Sequence, residues 1–257
     1  MSPPTLALRY WSSVLGILTL FLAPLACAQT TPEAPKPSVL RFLFLDETDG
    51  AYALKIDQQY KQISAAPYII SPPYKPTSLE QLSIYKTSTQ PDPVTGKFPR
   101  IKVTSFTPPA NTTSALVIVT PLKPAPGSTD TPAYHVEIID NSPSAFPGGT
   151  LRILNRGLVS LAARLAKNQV IVEPGSVKII TPEADPRGRL RVLVAVQTPN
   201  QWQLIDDNVV IVTPDIRVTG VLVYSPTGMK FRLGPYLIAE RGDPPPGHVW
   251  LTYTDTP

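Results

Sequence analysis

Cysteine is almost missing from this chain: among its 257 residues there is one, Cys27. No disulfide can form within it, so the fold must hold by packing and hydrogen bonding alone. Histidine is nearly as scarce. The two present, His135 and His248, are too few for most metal sites, and a copper centre of the cupredoxin kind also needs a cysteine in the folded body. No metal and no other cofactor is expected. Charge is thin as well, with Asp, Glu, Lys and Arg at 16% against about a quarter in an average protein. The 23 basic and 19 acidic residues leave a net charge of +4, and the basic ones stand singly. A nucleic-acid partner would need a basic stripe or patch, and none is legible. G-x-S-x-G, a phosphate-cradling glycine loop, H-E-x-x-H and S-x-x-K are likewise absent from any credible context.

Proline is abundant instead: 32 residues, where average usage of about 5% would give far fewer. At that density long helices are excluded, and short strands joined by stiff loops are favoured. The first 28 residues have the parts of a secretory signal. Arg9 is the positive region, Val14 to Phe21 and Leu22 the apolar run, and Ala26-Cys27-Ala28 the small-residue cleavage site. The run is shorter than the ~20 apolar residues of a membrane span, and Pro24 ends it, so no span is expected after processing. Leu25-Ala26-Cys27 also resembles a bacterial lipoprotein signal, which makes Cys27 a candidate lipidation site; Pro24, standing where leucine is preferred, counts against it. Residues 29–37 are a polar, proline-rich spacer.

The body divides into two strand-rich units. In the first, 38–125, Val39 to Leu45 is a strand buried on both sides, Tyr52, Leu54 and Ile56 alternate, and Ala115 to Val119 is a second continuous apolar run. Pro67 to Pro76 is bracketed by prolines and belongs at an edge or in a loop. Residues 126–132 have the composition of a linker. In the second unit, 133–240, Tyr134 to Asp140 alternates, a turn around Phe146 and Pro147-Gly148-Gly149 feeds Leu151 to Leu154, and Gln169 to Ile180 reads as strand, Pro-Gly turn, strand. Leu158 to Lys167 fits a helical face and an alternating strand alike. The pair Leu40-Arg41 echoes Leu151-Arg152, and Leu116 to Pro121 echoes Val221 to Pro226; this tandem comparison favours a strand at 158–167. Residues 241–257 are a proline-rich tail in which His248 to Tyr253 can add an edge strand or dock through Trp250.

The expected fold is all-β: two tandem immunoglobulin-like or cupredoxin-like β-sandwich units without a metal site. Candidate partner-binding residues are Tyr68, Tyr74 and Trp250, whose rings suit sugars or proline-rich peptides. The adjacent acids Asp206-Asp207 and Asp46-Glu47 are the only hint of hydrolysis by paired carboxylates, and neighbouring acids in turns are usually solvated surface. No catalytic residue is assigned.

Asp140 to Asn155 with Val172-Glu173-Pro174-Gly175 and Trp202 resembles uncharacterised exported β-rich proteins of the Planctomycetes and Verrucomicrobia kind, over about residues 133–225. The resemblance implies a fold and an address, not an activity. The expectation is a non-enzymatic exported binding or structural module of the bacterial envelope, periplasmic or extracellular, with a protein or glycan partner. An envelope glycan hydrolase and a self-assembling envelope subunit are the alternatives.

Overall fold

Alternating apolar residues and frequent proline give fifteen strands and no helix among the described residues of the computed structural model, namely 38–45, 51–56, 58–64, 67–122, 133–225 and 247–257. The first seven strands are β1 (Val39–Phe44), β2 (Tyr52–Ile56), β3 (Gln59–Ile63), β4 (Leu82–Thr87), β5 (Arg100–Phe106), β6 (Ser114–Pro121) and β7 (Tyr134–Asp140). They form two sheets, ordered β1-β6-β7 and β3-β2-β4-β5. The other eight are β8 (Leu151–Arg156), β9 (Leu161–Leu165), β10 (Asn168–Val172), β11 (Val177–Ile180), β12 (Arg189–Gln197), β13 (Trp202–Ile211), β14 (Arg217–Ser225) and β15 (Gly247–Asp255), in sheets ordered β11-β8-β14-β15 and β10-β9-β12-β13. The fold is all-β, two sandwiches in tandem.

The two sandwiches share one wiring plan. β1 runs parallel to β6, and β8 parallel to β14. Each sandwich has an antiparallel hairpin at one side of its outer sheet (β2-β3, β9-β10) and closes with an antiparallel strand on its inner sheet (β7, β15). Even the irregularities correspond. A bulge interrupts β4-β5 at Ile84/Tyr85, and another interrupts β12-β13 at Val194/Ala195. The proline-bracketed stretch near Tyr68 occupies the place of β11: it forms isolated bridges to β1 at Leu43↔Ile70 and Leu40↔Tyr74 rather than a continuous ladder, while β11 pairs β8 over four residues. Prolines at 72 and 73 remove the donors a full ladder would need.

This plan moves the boundary between the units. Tyr134–Asp140, placed by sequence in the second unit, hydrogen-bonds along β6 from Ala115↔Asp140 to Pro121↔Tyr134 and completes the first sandwich. The linker expected at 126–132 lies outside the described residues, between two strands that pair with each other. The join between the sandwiches is Asn141 to Thr150. At the other end, the expected edge strand in the tail is present as β15, paired with β14 from Ser225↔Gly247 to Arg217↔Asp255. The ambiguous 158–167 is the strand β9.

Three apolar clusters hold the layers. Leu40, Phe42, Phe44, Leu54, Ile84, Val117 and their neighbours fill the first sandwich, with Phe44 stacked on Tyr52 at 4.0 Å. Leu151, Ile153, Leu161, Val192, Val194 and Leu222 are at the centre of the second. A third cluster joins the two inner sheets: Leu43, Leu116 and Ile118 of the first meet Leu154, Val221, Val223 and Leu251 of the second. The order of layers is outer, inner, inner, outer. Strands β6 and β14 thus have core on both faces, which explains their unbroken apolar runs. Asn155, fully buried, stitches the second sandwich by donating to the carbonyls of Val159 and Val172 at 2.8 Å each.

Candidate functional site

The aromatic residues singled out from the sequence do not form one surface. Tyr68 adopts φ 60°, a left-handed backbone unusual for a bulky side chain, and is only 8% exposed. Its ring enters the cluster between the inner sheets, its amide donates to Phe44 O, and its carbonyl accepts from the Tyr253 hydroxyl. Burial also pushes the Tyr253 hydroxyl pKa upward, so it stays a donor. Tyr74 packs edge-on against Phe42 at 5.8 Å, and its hydroxyl accepts from the Ser64 amide and donates to Gln62 O. Trp250 lies on β15 in the second sandwich, over Gly220, where any Cβ would stand 2.0 Å from the indole. These rings are committed to the interior or to strand packing rather than to a shared platform. Cys27, Asp46, Glu47 and the Arg241-Gly242-Asp243 tripeptide lie outside the described residues.

The acids of Asp206-Asp207 part company across β13. The bulge leaves Ile205 unpaired and sets Asp206 opposite Val194, a core residue, while Asp207 stands opposite Leu193. Asp207 is held by a two-pronged bond from Arg191, Nε 2.8 Å and Nη2 2.6 Å, which draws its pKa down. Asp206 has a buried oxygen without a partner, and burial raises its pKa. Adjacent in sequence, the two carboxylates cannot face one substrate. No group of three His, Cys, Asp or Glu gathers among the described residues.

The residues that sequence reasoning missed are two arginines at the join. Arg152 and Arg217 are 2% and 3% exposed, and the Phe146 ring lies against both guanidinium groups, 4.1 and 5.0 Å from their carbons. Arg217 donates to both oxygens of Asp255 (2.9 and 3.1 Å) and to the carbonyls of Asn141 and Phe146 (2.9 Å each). Arg152 donates to Asn141 Oδ1 and Thr219 Oγ1, while its buried Nε has no partner. Burial, with the like charge of Arg217 beside it, lowers the Arg152 pKa to about 10. Arg152 still carries its charge at neutral pH. A cavity of about 150 Å³ beside them opens between the inner sheets and is lined by Arg41, Leu116, Asn141, Arg152, Thr219 and Tyr253. The arginines clamp the connection 141–149 to β8 and β14. The sequence signal was a charged residue inside an apolar strand, Arg152 within Leu151–Leu154, a placement that demands partners. At the far end of the same interface Arg156 of β8 makes a two-pronged pair with Glu137 of β7, joining the sandwiches again.

The outer sheets carry the surfaces open to other molecules, and they differ in chemistry. On β13 Asp207 stands among four apolar outward residues: Trp202, Leu204, Val209 and Ile211 are 41%, 57%, 54% and 41% exposed. This ten-residue strand hydrogen-bonds to β12 and to no other strand among the described residues. The β3-β2-β4-β5 sheet is polar outside. Its strands hold Lys55, Lys61, Lys86, Arg100 and Lys102 and no acidic residue. Tyr60 and Tyr85 meet edge-to-face at 5.0 Å, with Arg100 over Tyr60 at 4.6 Å and the Lys55 ammonium at 5.9 Å. Along its rim runs an open groove of about 320 Å³, lined by Lys55, Gln58, Ser78, Glu80, Ser83 and Tyr85.

Comparison with known proteins adds little. No protein-family model matches the chain, and no curated protein matches it. Among solved structures it is similar to a candidate cell adhesion protein from Bacteroides eggerthii, at 7% identity and a TM-score of 0.20, covering 86% of this chain and 96% of that one. Likeness at that level carries no argument about this chain. Among the described residues no helix is long and apolar enough to cross a membrane.

Proposed function

We propose that this protein is a non-enzymatic exported module of the bacterial envelope that binds a protein partner through the free edge of β13. The observation that carries this reading is the edge itself. β13 is ten residues long, the backbone groups on its side away from β12 meet no other strand among the described residues, and four apolar side chains stand exposed along it; natural sheets normally shorten, charge or cover such an edge. An incoming strand would satisfy the open N–H and C=O groups, while Trp202, Leu204, Val209 and Ile211 set its register. The Arg191–Asp207 pair beside them gives the face little net charge, so association there does not require a charged partner. The signal-like first 28 residues and the disulfide-free body support an exported bacterial protein, free or lipid-anchored at Cys27.

The test has two parts. Cells expressing the full chain are fractionated, and the N-terminus of the recovered protein is read by mass spectrometry. The expected result is envelope material beginning at Gln29 or at a lipid-modified Cys27; unprocessed protein in the cytoplasm would overturn the address. Purified protein is then used to capture envelope proteins, in parallel with a Leu204→Lys/Val209→Lys variant. A partner retained by the native chain and lost by the variant is expected. Self-association that rises with concentration and vanishes in the variant would replace the reading with that of an assembling subunit.

A further inference from the structure

We propose that the outer face of the β3-β2-β4-β5 sheet binds an acidic glycan, a chain of sugars bearing carboxylates, through Lys55, Arg100, Lys102, Tyr60 and Tyr85. Pairing places Gln62, Ala53, Tyr85 and Lys102 in one cross-strand row and Tyr60, Lys55, Ser83 and Ser105 in the next. In an antiparallel sheet, residues directly opposite one another share a face, so cations, tyrosines and small hydroxyl or amide side chains alternate across a single surface. Ala53, only 6% exposed, is covered by its neighbours in the row, so the polar and aromatic side chains make the surface there.

Each component suits the ligand. None of Lys55, Arg100 and Lys102 is in an ion pair among the described residues, so their charge is not consumed within the fold. The Tyr60 ring, met edge-on by Tyr85, carries the Arg100 guanidinium on its face and leaves its N–H fork available to a carboxylate. Lys55 on β2 and Lys102 on β5 are two strands and one cross-strand row apart, ~12 Å between their backbones at the usual strand spacing and rise. That interval matches carboxylates spaced along an extended sugar chain, with hydroxyls between them for Gln62, Ser83 and the tyrosine hydroxyls. Glu80 on the rim groove sets a limit: the groove itself suits the uncharged part of the chain.

Other polyanions fit less well. Duplex DNA presents a charge every ~1.7 Å of its axis, far denser than three separated cations on one face. The choice of a glycan also rests on the envelope address proposed above, whereas the existence of a polyanion face does not.

The experiment is affinity electrophoresis of the purified full chain in gels containing polygalacturonate, with pullulan as a neutral glycan and oligothymidylate as a competing polyanion. Slowed migration in polygalacturonate alone is expected, weakening with salt. A Lys55→Gln/Arg100→Gln/Lys102→Gln variant should bind at least tenfold more weakly, and Tyr85→Ala several-fold. The control removes equal charge from the second sandwich, Lys167→Gln/Lys178→Gln/Arg187→Gln, and should bind like the native chain; circular dichroism and thermal melts confirm that each variant is folded. Equal loss in the control would reduce the effect to bulk charge and overturn the site. So would equal slowing in pullulan, no slowing at all, or tighter binding to oligothymidylate. Leu204→Lys/Val209→Lys should leave glycan binding intact, so failure of the β13 edge and failure of this face are read separately.

Discussion

Phe146 is the residue on which the join between the sandwiches turns. It is fully buried, it lies against two guanidinium groups, and its carbonyl accepts from Arg217. Truncation to alanine removes the ring from a site that cannot collapse without moving both arginines, so Phe146→Ala should cost about 3–5 kcal/mol in urea unfolding. Asp206 makes the opposite prediction. Its pKa is raised, so the folded state favours the protonated acid; the associated stability is full below the ordinary carboxylate value and is lost as pH rises through the folded one. Asp206→Asn should therefore raise the melting temperature at pH 7, with the gain gone at pH 3. His248 titrates the other way. Burial lowers its pKa, and its Nε2 accepts from the Leu158 amide at 3.1 Å, which needs the neutral ring. Stability from this contact is complete above the ordinary histidine pKa and falls as pH drops below it. A His248→Asn variant should show a flatter melting profile between pH 7 and pH 5.

At the scale of elements, β15 depends on a single position without a side chain. Gly220 faces the Trp250 ring across the β14-β15 ladder, and an added Cβ would overlap it at 2.0 Å. Gly220→Val should shift tryptophan emission to the red as β15 is displaced, with a loss of at least the ~1–3 kcal/mol typical of overpacking. Strands were the legible part of this sequence. The apolar runs at Leu40, Leu116, Val192 and Val221 are all strands, and the echo between Leu40-Arg41 and Leu151-Arg152 marks equivalent positions, each the first strand of its sandwich and parallel to the sixth or seventh. Pairing was less legible. Tyr134–Asp140 alternates the same way whichever sheet receives it, and 126–132 reads alike as linker or strand connection, so the sequence pattern and the strand pairing put the boundary one strand apart. The sites were hardest to read. An exposed tyrosine and a buried one look identical in sequence, so its pattern singles out Tyr68 and passes over Tyr60 and Tyr85, which only the pairing of β3, β2 and β4 brings together. The parting of Asp206 from Asp207 depends on a bulge that no local pattern announces.

The described residues are held as four layers by the cluster between the inner sheets, with the Arg156–Glu137 pair and the arginine clamp at its margins. With Leu43, Leu116, Ile118, Val221 and Val223 shared between the halves, the native chain should unfold in one calorimetric transition. An Ile118→Asn/Val221→Asn variant places unpaired amides in that seam and should split the transition in two, one for each sandwich. A single transition at a lower temperature would show that neither sandwich stands without the other.

The parallel pairing of first and late strands has a consequence for how the chain comes off the ribosome. Ser38 and Thr112, bonded at the start of the β1-β6 ladder, are 74 positions apart, and Arg152 and Thr219 of the second ladder are 67 apart. Neither half can be finished until nearly all of its own length has been synthesised, and closing such distant contacts is slow. The nascent polypeptide therefore stays open for much of its translation, the condition in which a threading machine can still take hold of it.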